Sequence, residues 1–391
     1  MKQYNEEILR LDIAANFGRN YQQCTLSVMD TIADPSIKFD ENGVSNYFRS
    51  YHEQADASVF KDDEGSKKLE ELISKIKASG KGKPFDCITG VSGGVDSTYL
   101  ALMAKKWGLR PLIVHFDNGW NSEIAVKNIE NIITKLGFDL YTLVVDWEEF
   151  RDIQMSYLKA SVVDIEAITD HAIIGTLYKL ANKHGIKYIL SGSNIVTEAT
   201  LPLAWIWNKT DHVNIVDIHK RYGKIPLKTF PLFSTRQKKI FQAKGIETVA
   251  PLNFVHYDKT KVKEIITTEL SWKDYGGKHY ESIWTRFYQG YILPAKFGID
   301  KRKAHLSNLI FSKQISKEKA LEELAQPIYE QTTLEQDYEF VLKKFNISAL
   351  EFEEIMNLPV NKHSDFKTER SIWERYPILA PLRPIWRVLG N

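Results

Sequence analysis

Between residues 84 and 193 short apolar runs alternate with longer amphipathic stretches. PFDCITGV (84–91), RPLIVHFD (110–117), DLYTLVVD (139–146) and IKYILSGS (186–193) are rich in β-branched residues and too short for helices. Each predicts a strand. The stretches 97–108, 122–136, 147–160 and 170–183 predict the helices between them. Strands that are apolar throughout, rather than at every second position, need cover on both faces. The pattern therefore predicts an α/β fold built on a doubly wound parallel sheet. Ligands in such sheets bind beyond the carboxyl ends of the strands, which singles out residues 91–97, 115–121, 146–147 and 191–198.

The flanks read differently. Residues 1–60 are short-patterned and turn-rich (ADPS, DENG) and predict a small N-terminal module. An amphipathic helix, LEELISKIKAS, closes at Gly80 and leads through KGKP into the main domain, so 61–83 is taken as helix and linker. The main domain is expected over 84–300, although the strand–helix rhythm fades after residue 200. From about 300 to 360 acidic and basic residues interleave on helical spacing, and 301–391 is expected to be a helical C-terminal region.

Composition narrows the classes. The 391 residues are 43% hydrophobic and 26% charged, with a net charge of +2. That is enough apolar material for one large core, and too little basic excess for a dedicated nucleic-acid binder. No apolar run approaches the roughly 18–20 residues of a spanning helix. The start, MKQYNEEILRLDIAANFGRN, lacks the pattern of a signal peptide. Two cysteines, Cys24 and Cys87, do not make a disulfide framework. These features predict a soluble cytoplasmic protein with no nucleic-acid partner and no membrane insertion.

Chemistry concentrates first in Ser92-Gly93-Gly94-Val95-Asp96-Ser97, between the first strand and its helix. Glycines allow close backbone approach to an anion, and amides at a helix start point donors at it. Ser92, Ser97 and Thr98 add hydroxyls. Asp96 would repel a bare phosphate, but it fits a loop whose phosphate arrives with Mg²⁺. An ordinary Gly-rich turn with Asp and Ser at the helix start is the plainer alternative. The loop lacks the Gly-Lys-Ser/Thr ending of a Walker A motif and is not GxGxxG.

SGGVDS resembles the PP-loop of the N-type ATP pyrophosphatases, a group that includes GMP synthetase, NAD synthetase and asparagine synthetase. The resemblance implies an adenine nucleotide alpha hydrolase-like sheet and cleavage of ATP to AMP and pyrophosphate. It also places Asp117, closing the second strand in HFDNGW, near the adenosine. A strand-ending Asn-Gly turn explains that segment equally well. Ser191-Gly192-Ser193-Asn194 with Glu198 is similar to the Gly-Thr-Asn…Glu segment of ammonia-dependent synthetases. Ser191, Gly192 and Asn194 would pass the nucleotide, and Glu198 would join Asp96 on Mg²⁺. Thr169-Asp170-His171 reads as a plain helix start.

Four further stretches resemble the N-acetyl sugar amidotransferases of surface-polysaccharide biosynthesis, the WbpG/PseA type. They are residues 21–44, VSGGVDSTYLA, DHVNIVDIHKRYGKIPLKTFP (211–231) and YGGKHYESIWTRFYQGYILPAKFGIDKRKAHLS (275–307). This resemblance implies conversion of the acetamido group of a nucleotide-activated N-acetyl sugar to acetamidino, by adenylation and attack of ammonia. The ammonia would come from a separate HisH-like glutaminase with a HisF-like partner. In the KFGIDKRKAHLS motif, Lys296, Lys301 and Arg302 become the candidate catalytic cations, with Lys278, His279 and Arg286 behind them. A solvated helix start is the alternative for the Lys301-Arg302-Lys303 run. Relatives carry two Cys-x-x-Cys pairs near the N-terminus, a four-thiolate zinc pattern. Here those positions are Cys24, Ser27, Ser45 and Phe48, so no zinc is expected. Another PP-loop activity, such as tRNA modification, and a non-catalytic nucleotide-binding remnant stay open as alternatives.

Overall fold

The structure is a computed structural model that describes residues 4–59, 63–277 and 280–369. Five strands form one parallel sheet: β1 (Cys87–Gly90), β2 (Pro111–Asp117), β3 (Asp139–Val144), β4 (Tyr188–Leu190) and β5 (Glu247–Val249), in the order β3-β2-β1-β4-β5. The chain winds outward from β1 to β3, then returns to the other side of β1 with β4. This reversal leaves a crevice at the carboxyl ends of β1 and β4, where a doubly wound sheet binds its ligand.

The first four strands and their helices lie where the apolar runs put them. Observed helices are Val95–Lys106, Glu123–Leu136, Trp147–Ala160 and Ala167–His184. Strand β3 is exposed along most of its length, with Val144 66% accessible, because it lies at the sheet edge. The helix ahead of β1 spans Asp63–Ser79. Gly80 ends it for a steric reason, since a Cβ there would lie 2.1 Å from Asp86 Oδ1. Asp86 in turn holds Arg110, whose Nη2 donates to Oδ1 at 2.5 Å and locks the entry of β1 against that of β2.

Three elements depart from the sequence pattern. β5 is only three residues, Glu-Thr-Val, and too short to show a period. Helices Glu6–Phe17 and Asn46–Ser58 stand in the region read as turns. Only Ile13 of the first is buried, so it has no apolar stripe to reveal it. Its ends are set locally, by the Asn5 side chain accepting from the Glu7 and Ile8 amides and by Gly18 in the left-handed region.

Packing also crosses the expected boundaries. The largest core joins Met29 and Ile37 of the N-terminal segment to Phe150 and Ile168 of the α/β part. It continues through Trp284, Phe287, Phe345 and Phe352 of the C-terminal helices. Lys303 adds a buried ionic tie, donating to Asp30 Oδ2 at 2.6 Å and Glu6 Oε1 at 3.0 Å. It is 3% exposed, so this member of the Lys-Arg-Lys run is no solvated helix start.

Around Cys24 the backbone makes a tight knuckle. The thiol accepts the Ser45 N–H at 3.2 Å, and Ser27 and Ser45 are buried beside it. Burial pushes its pKa up, but hydroxyl and amide donors from Ser27, Ser45 and Leu26 outweigh this and leave it below the usual thiol value. Phe48 packs edge-on against Phe311. Among the described residues no helix is long and apolar enough to cross a membrane.

Candidate active site

The chain leaves β1 and turns sharply at Gly93, whose φ of +80° and 2.7 Å approach of a would-be Cβ to Ala125 O admit only glycine. Gly94 is the N-cap of helix Val95–Lys106 and has no side chain to occupy the first amides. Ser92 Oγ accepts the Gly94 N–H at 3.2 Å, and Ser97 Oγ donates to Gly94 O at 3.3 Å, so the hydroxyls line the loop. Gly192, at the end of β4, packs on the Asp96–Ser97 backbone, where a Cβ would meet it at 3.3 Å. Thr98 is fully buried in the helix, which takes its hydroxyl away from any ligand at the loop.

A cavity of about 200 Å³ opens over this loop, bounded by Ser92, Gly94, Val95, Asp96, Ser97 and Gly192. Glu198 closes one side of it. The Asp96 carboxylate accepts hydrogen bonds from the Tyr257 hydroxyl and from the Asn194 amide, the latter at 3.4 Å. Burial, followed by repulsion from Asp96, keeps the Tyr257 hydroxyl far above the ordinary phenol pKa, so it remains a donor. Asn194 also caps the short helix Ile195–Glu198, which delivers Glu198 to the cavity.

The far wall comes from Glu281 and Tyr275. Glu281 Oε1 accepts from Ser92 Oγ at 3.3 Å, and the Tyr275 hydroxyl lies 3.3 Å from where a Gly94 Cβ would stand. Lys259, Lys263 and His305 complete the rim. Glu281 and Tyr275 lie inside the 275–307 stretch, but no local pattern marks either as facing the loop. Their placement comes from tertiary anchors: Trp272 Nε1 donates to Gly93 O at 2.9 Å, and Ser122 N–H to Glu281 O at 2.9 Å.

Other expected site residues are placed less directly. Asp117 Oδ1 accepts from the Gly119 amide at 2.9 Å and Asn121 Nδ2 at 3.2 Å, shaping the turn after β2 rather than lining the cavity. His115 beside it stands 3.2 Å from Val91 O through Nδ1 and 3.2 Å from Asn121 Nδ2 through Nε2. The neutral Nδ1–H tautomer satisfies both contacts. Ser191 Oγ donates to Ser193 Oγ at 2.9 Å.

The three candidate cations divide. Lys296 sends Nζ to the carbonyls of Ile355, Met356 and Leu358 at 2.9, 3.2 and 2.9 Å, tying down the end of helix Ala349–Asn357 away from the loop. Lys301 and Arg302 line a second cavity of about 520 Å³ that shares Lys259, Lys263, Gly276, Gly277 and His305 with the first. Arg302 is braced there by Asp300 and by three carbonyls of residues 323–326. Burial lowers the Lys301 pKa against the pull of Asp164. Arg286 forms a bidentate pair with Asp337 at 2.6 and 2.8 Å. Lys278 and His279 lie outside the described residues. Trp205 and Trp207 are packing residues, bonded to Ala33 O and Asp211.

Residues 281–380 match the family model of the LPS biosynthesis protein WbpG-like C-terminal domain, and residues 86–202 match that of the queuosine biosynthesis protein QueC. An uncharacterized protein of Methanocaldococcus jannaschii is 27% identical over 269 residues, spanning 67% of this chain and 79% of that protein. Glutamine-hydrolyzing GMP synthase of Aeropyrum pernix is 25% identical over 219 residues, 52% of this chain and 36% of the synthase. Among solved structures, NMN synthetase from Francisella tularensis aligns over 77% of this chain and 99% of its own, at 14% identity and a TM-score of 0.35. The NH3-dependent NAD synthetase from Campylobacter jejuni aligns over 34% and 58%, at 15% identity and a TM-score of 0.27. The SGGVDS loop at the switch point of a parallel sheet, with the two family matches, relates the chain to the ATP-utilising PP-loop synthetases and amidotransferases. Its residues 281–380 resemble the WbpG-like C-terminal domain.

Proposed function

We propose that the chain is an ATP-dependent amidotransferase that converts the acetamido group of a nucleotide-activated N-acetyl sugar to acetamidino. The observation that carries this reading is a pair of adjoining cavities, one over the SGGVDS loop and one beside Lys301 and Arg302, with Gly276, Gly277 and His305 lining both. His305, Lys301 and Arg302 lie in the segment that matches the WbpG-like model.

In this reading ATP lies with its phosphates on the amides and hydroxyls of Ser92–Ser97. The acceptor occupies the second cavity, its anionic carrier facing Lys301 and Arg302. The acetamido oxygen attacks the α-phosphorus and the bond to the bridging oxygen breaks, releasing pyrophosphate. Ammonia adds to the activated carbon, the carbon–oxygen bond to AMP breaks, and the nitrogen loses its extra proton. The protein's task is alignment of two anionic substrates and stabilisation of the departing charge.

Asp96 and Glu198 suit a magnesium ion. Mg²⁺ is held by one or two carboxylates and completes its shell with phosphate oxygens and water, and two carboxylates flank the loop here. Among the described residues no group of three or more His, Cys, Asp or Glu side chains could hold a metal alone, so the ion would need nucleotide oxygens to complete its shell. Bound there, the ion would neutralise charge on the pyrophosphate. The ammonia source is taken to be a separate HisH-like glutaminase working with a HisF-like subunit.

Mass spectrometry of UDP- and CMP-linked N-acetyl sugars incubated with the protein, ATP and ammonium tests the reading. Replacement of an acetamido oxygen by NH, with stoichiometric AMP, is expected. EDTA should stop AMP formation while leaving the melting temperature unchanged. AMP formation that no sugar nucleotide stimulates would overturn the assignment.

A further inference from the structure

Helix Ala167–His184 packs against the sheet through Leu177, Tyr178 and Leu180 and leads into β4. Its N-cap, Glu166, does not turn its carboxylate onto the first amides of the helix. Oε2 accepts from Thr285 Oγ1 at 3.0 Å, and Oε1 is buried with no hydrogen-bond partner among the described residues. Three residues on, and hence on the same helical face, Thr169 Oγ1 is also buried and unpartnered. A carboxylate that bypasses helix amides and keeps one buried oxygen unbonded is prepared for a donor that is not part of the protein.

The surroundings say what kind of donor. Glu166 interacts with the carboxylates of Asp164 and Asp170 and with the Lys301 ammonium. Lys209 bridges Asp164 and Asp170 at 2.5 and 3.2 Å. Three carboxylates thus lie within electrostatic reach of two ammonium groups, an excess of negative charge that favours a small cation. Burial, then repulsion from Asp170, raises the Glu166 pKa to about 7, so the carboxyl can gain and lose a proton near neutrality. The position is apt: Thr285 follows Glu281 of the phosphate-loop cavity by one turn, and Lys301 lines the second cavity.

We propose that Glu166, with Thr169 beside it, binds an ammonium ion and removes one of its protons, supplying ammonia beside the acceptor cavity. The N–H bond breaks with its electron pair left on nitrogen, Oε1 gains the proton, and the carboxyl later returns it to solvent. The use of this ammonia as the nucleophile rests on the amidotransferase reading; binding of ammonium does not.

Thermal melting of the full chain in ammonium chloride, against equal sodium, potassium and tetramethylammonium chloride, tests binding alone. An ammonium-specific rise in melting temperature is expected, absent in Glu166→Gln and reduced in Thr169→Val. An equal rise in potassium, or no specific rise, would mean a general monovalent site or an ordered water and would overturn the proposal. In turnover, Glu166→Gln should keep sugar-dependent ATP–pyrophosphate exchange within about twofold while raising KM for ammonium at least ~10-fold. The rise of kcat/KM for ammonium through pH 7 should vanish with it. Equal loss of exchange and amidination would assign Glu166 a structural role instead. If the wild type shows no sugar-dependent exchange, the amidotransferase reading fails while the melting experiment still decides the ammonium site.

Discussion

At the scale of single residues, the phosphate loop works by what is left out of it. Gly93 and Gly94 keep side chains away from the amides that would meet phosphate in the proposed ATP site. Gly93→Ala places a Cβ against Ala125 O at a φ that disfavours it, so it should abolish ATP binding and cost about 1–3 kcal/mol. Isothermal titration and urea unfolding check the two effects. Asp96 faces the cavity, and an asparagine there would keep an oxygen to accept from the Tyr257 hydroxyl. Asp96→Asn should therefore lower pyrophosphate exchange by about 100-fold or more with little change in stability. Loop, flanking glycines and the two carboxylates were legible in the sequence because they are consecutive or follow a strand end. Glu281, Tyr275 and Tyr257 were not, since 160 or more residues separate each from the loop atoms it meets, and nothing local encodes that encounter.

At the scale of elements, the N-terminal segment is tied to the rest of the chain by buried ions as well as by the shared apolar core. Lys303, on helix Arg302–Phe311, reaches Asp30 and Glu6 from a buried position. Lys303→Met leaves Asp30, which has no exposure, as an uncompensated charge. Removing one partner of a buried pair typically costs about 3–5 kcal/mol, and urea unfolding of the variant should show a loss of that size. Lys296 illustrates how far a motif's role can shift with context. A cation expected at the site instead satisfies three carbonyls of residues 355–358 at the end of a helix. Its substitution should reduce stability before it touches ATP affinity, which melting and titration separate.

At the scale of the whole molecule, two buried histidines make stability depend on acid. His171 accepts the Phe233 amide at Nε2 (2.9 Å), with Nδ1 2.7 Å from Lys209 O. His363 accepts the Asp164 amide at Nε2 (3.3 Å), with Nδ1 2.9 Å from Asn214 Oδ1. Both must stay neutral, and burial lowers their pKa values to about 4 and about 3. The unfolded chain binds these protons first, below about pH 6.5, so the contribution is complete above that pH and declines as pH falls toward 4. For His171 it amounts to roughly 3 kcal/mol. Glu166 acts in the opposite sense, because its raised pKa favours the folded state at low pH and the benefit fades as pH rises through 7. The difference between wild type and His171→Gln, measured by urea unfolding from pH 4 to 7, isolates the histidine and should narrow as pH falls.

The sequence alone determined the parallel sheet, since unbroken apolar runs alternating with helices have few other ways to bury both faces. It also marked the SGGVDS loop as the candidate phosphate site, because its glycines, acid and hydroxyls are contiguous and follow a strand. The fifth strand and the capped N-terminal helix carry too little periodic signal to be read that way. Only the tertiary structure decided which of three motif cations reach a cavity, what closes the phosphate loop, and that Glu166 keeps a buried oxygen unbonded. Those outcomes depend on the packing of segments distant in sequence, where burial and the nearest available carbonyl or carboxylate settle a side chain's task.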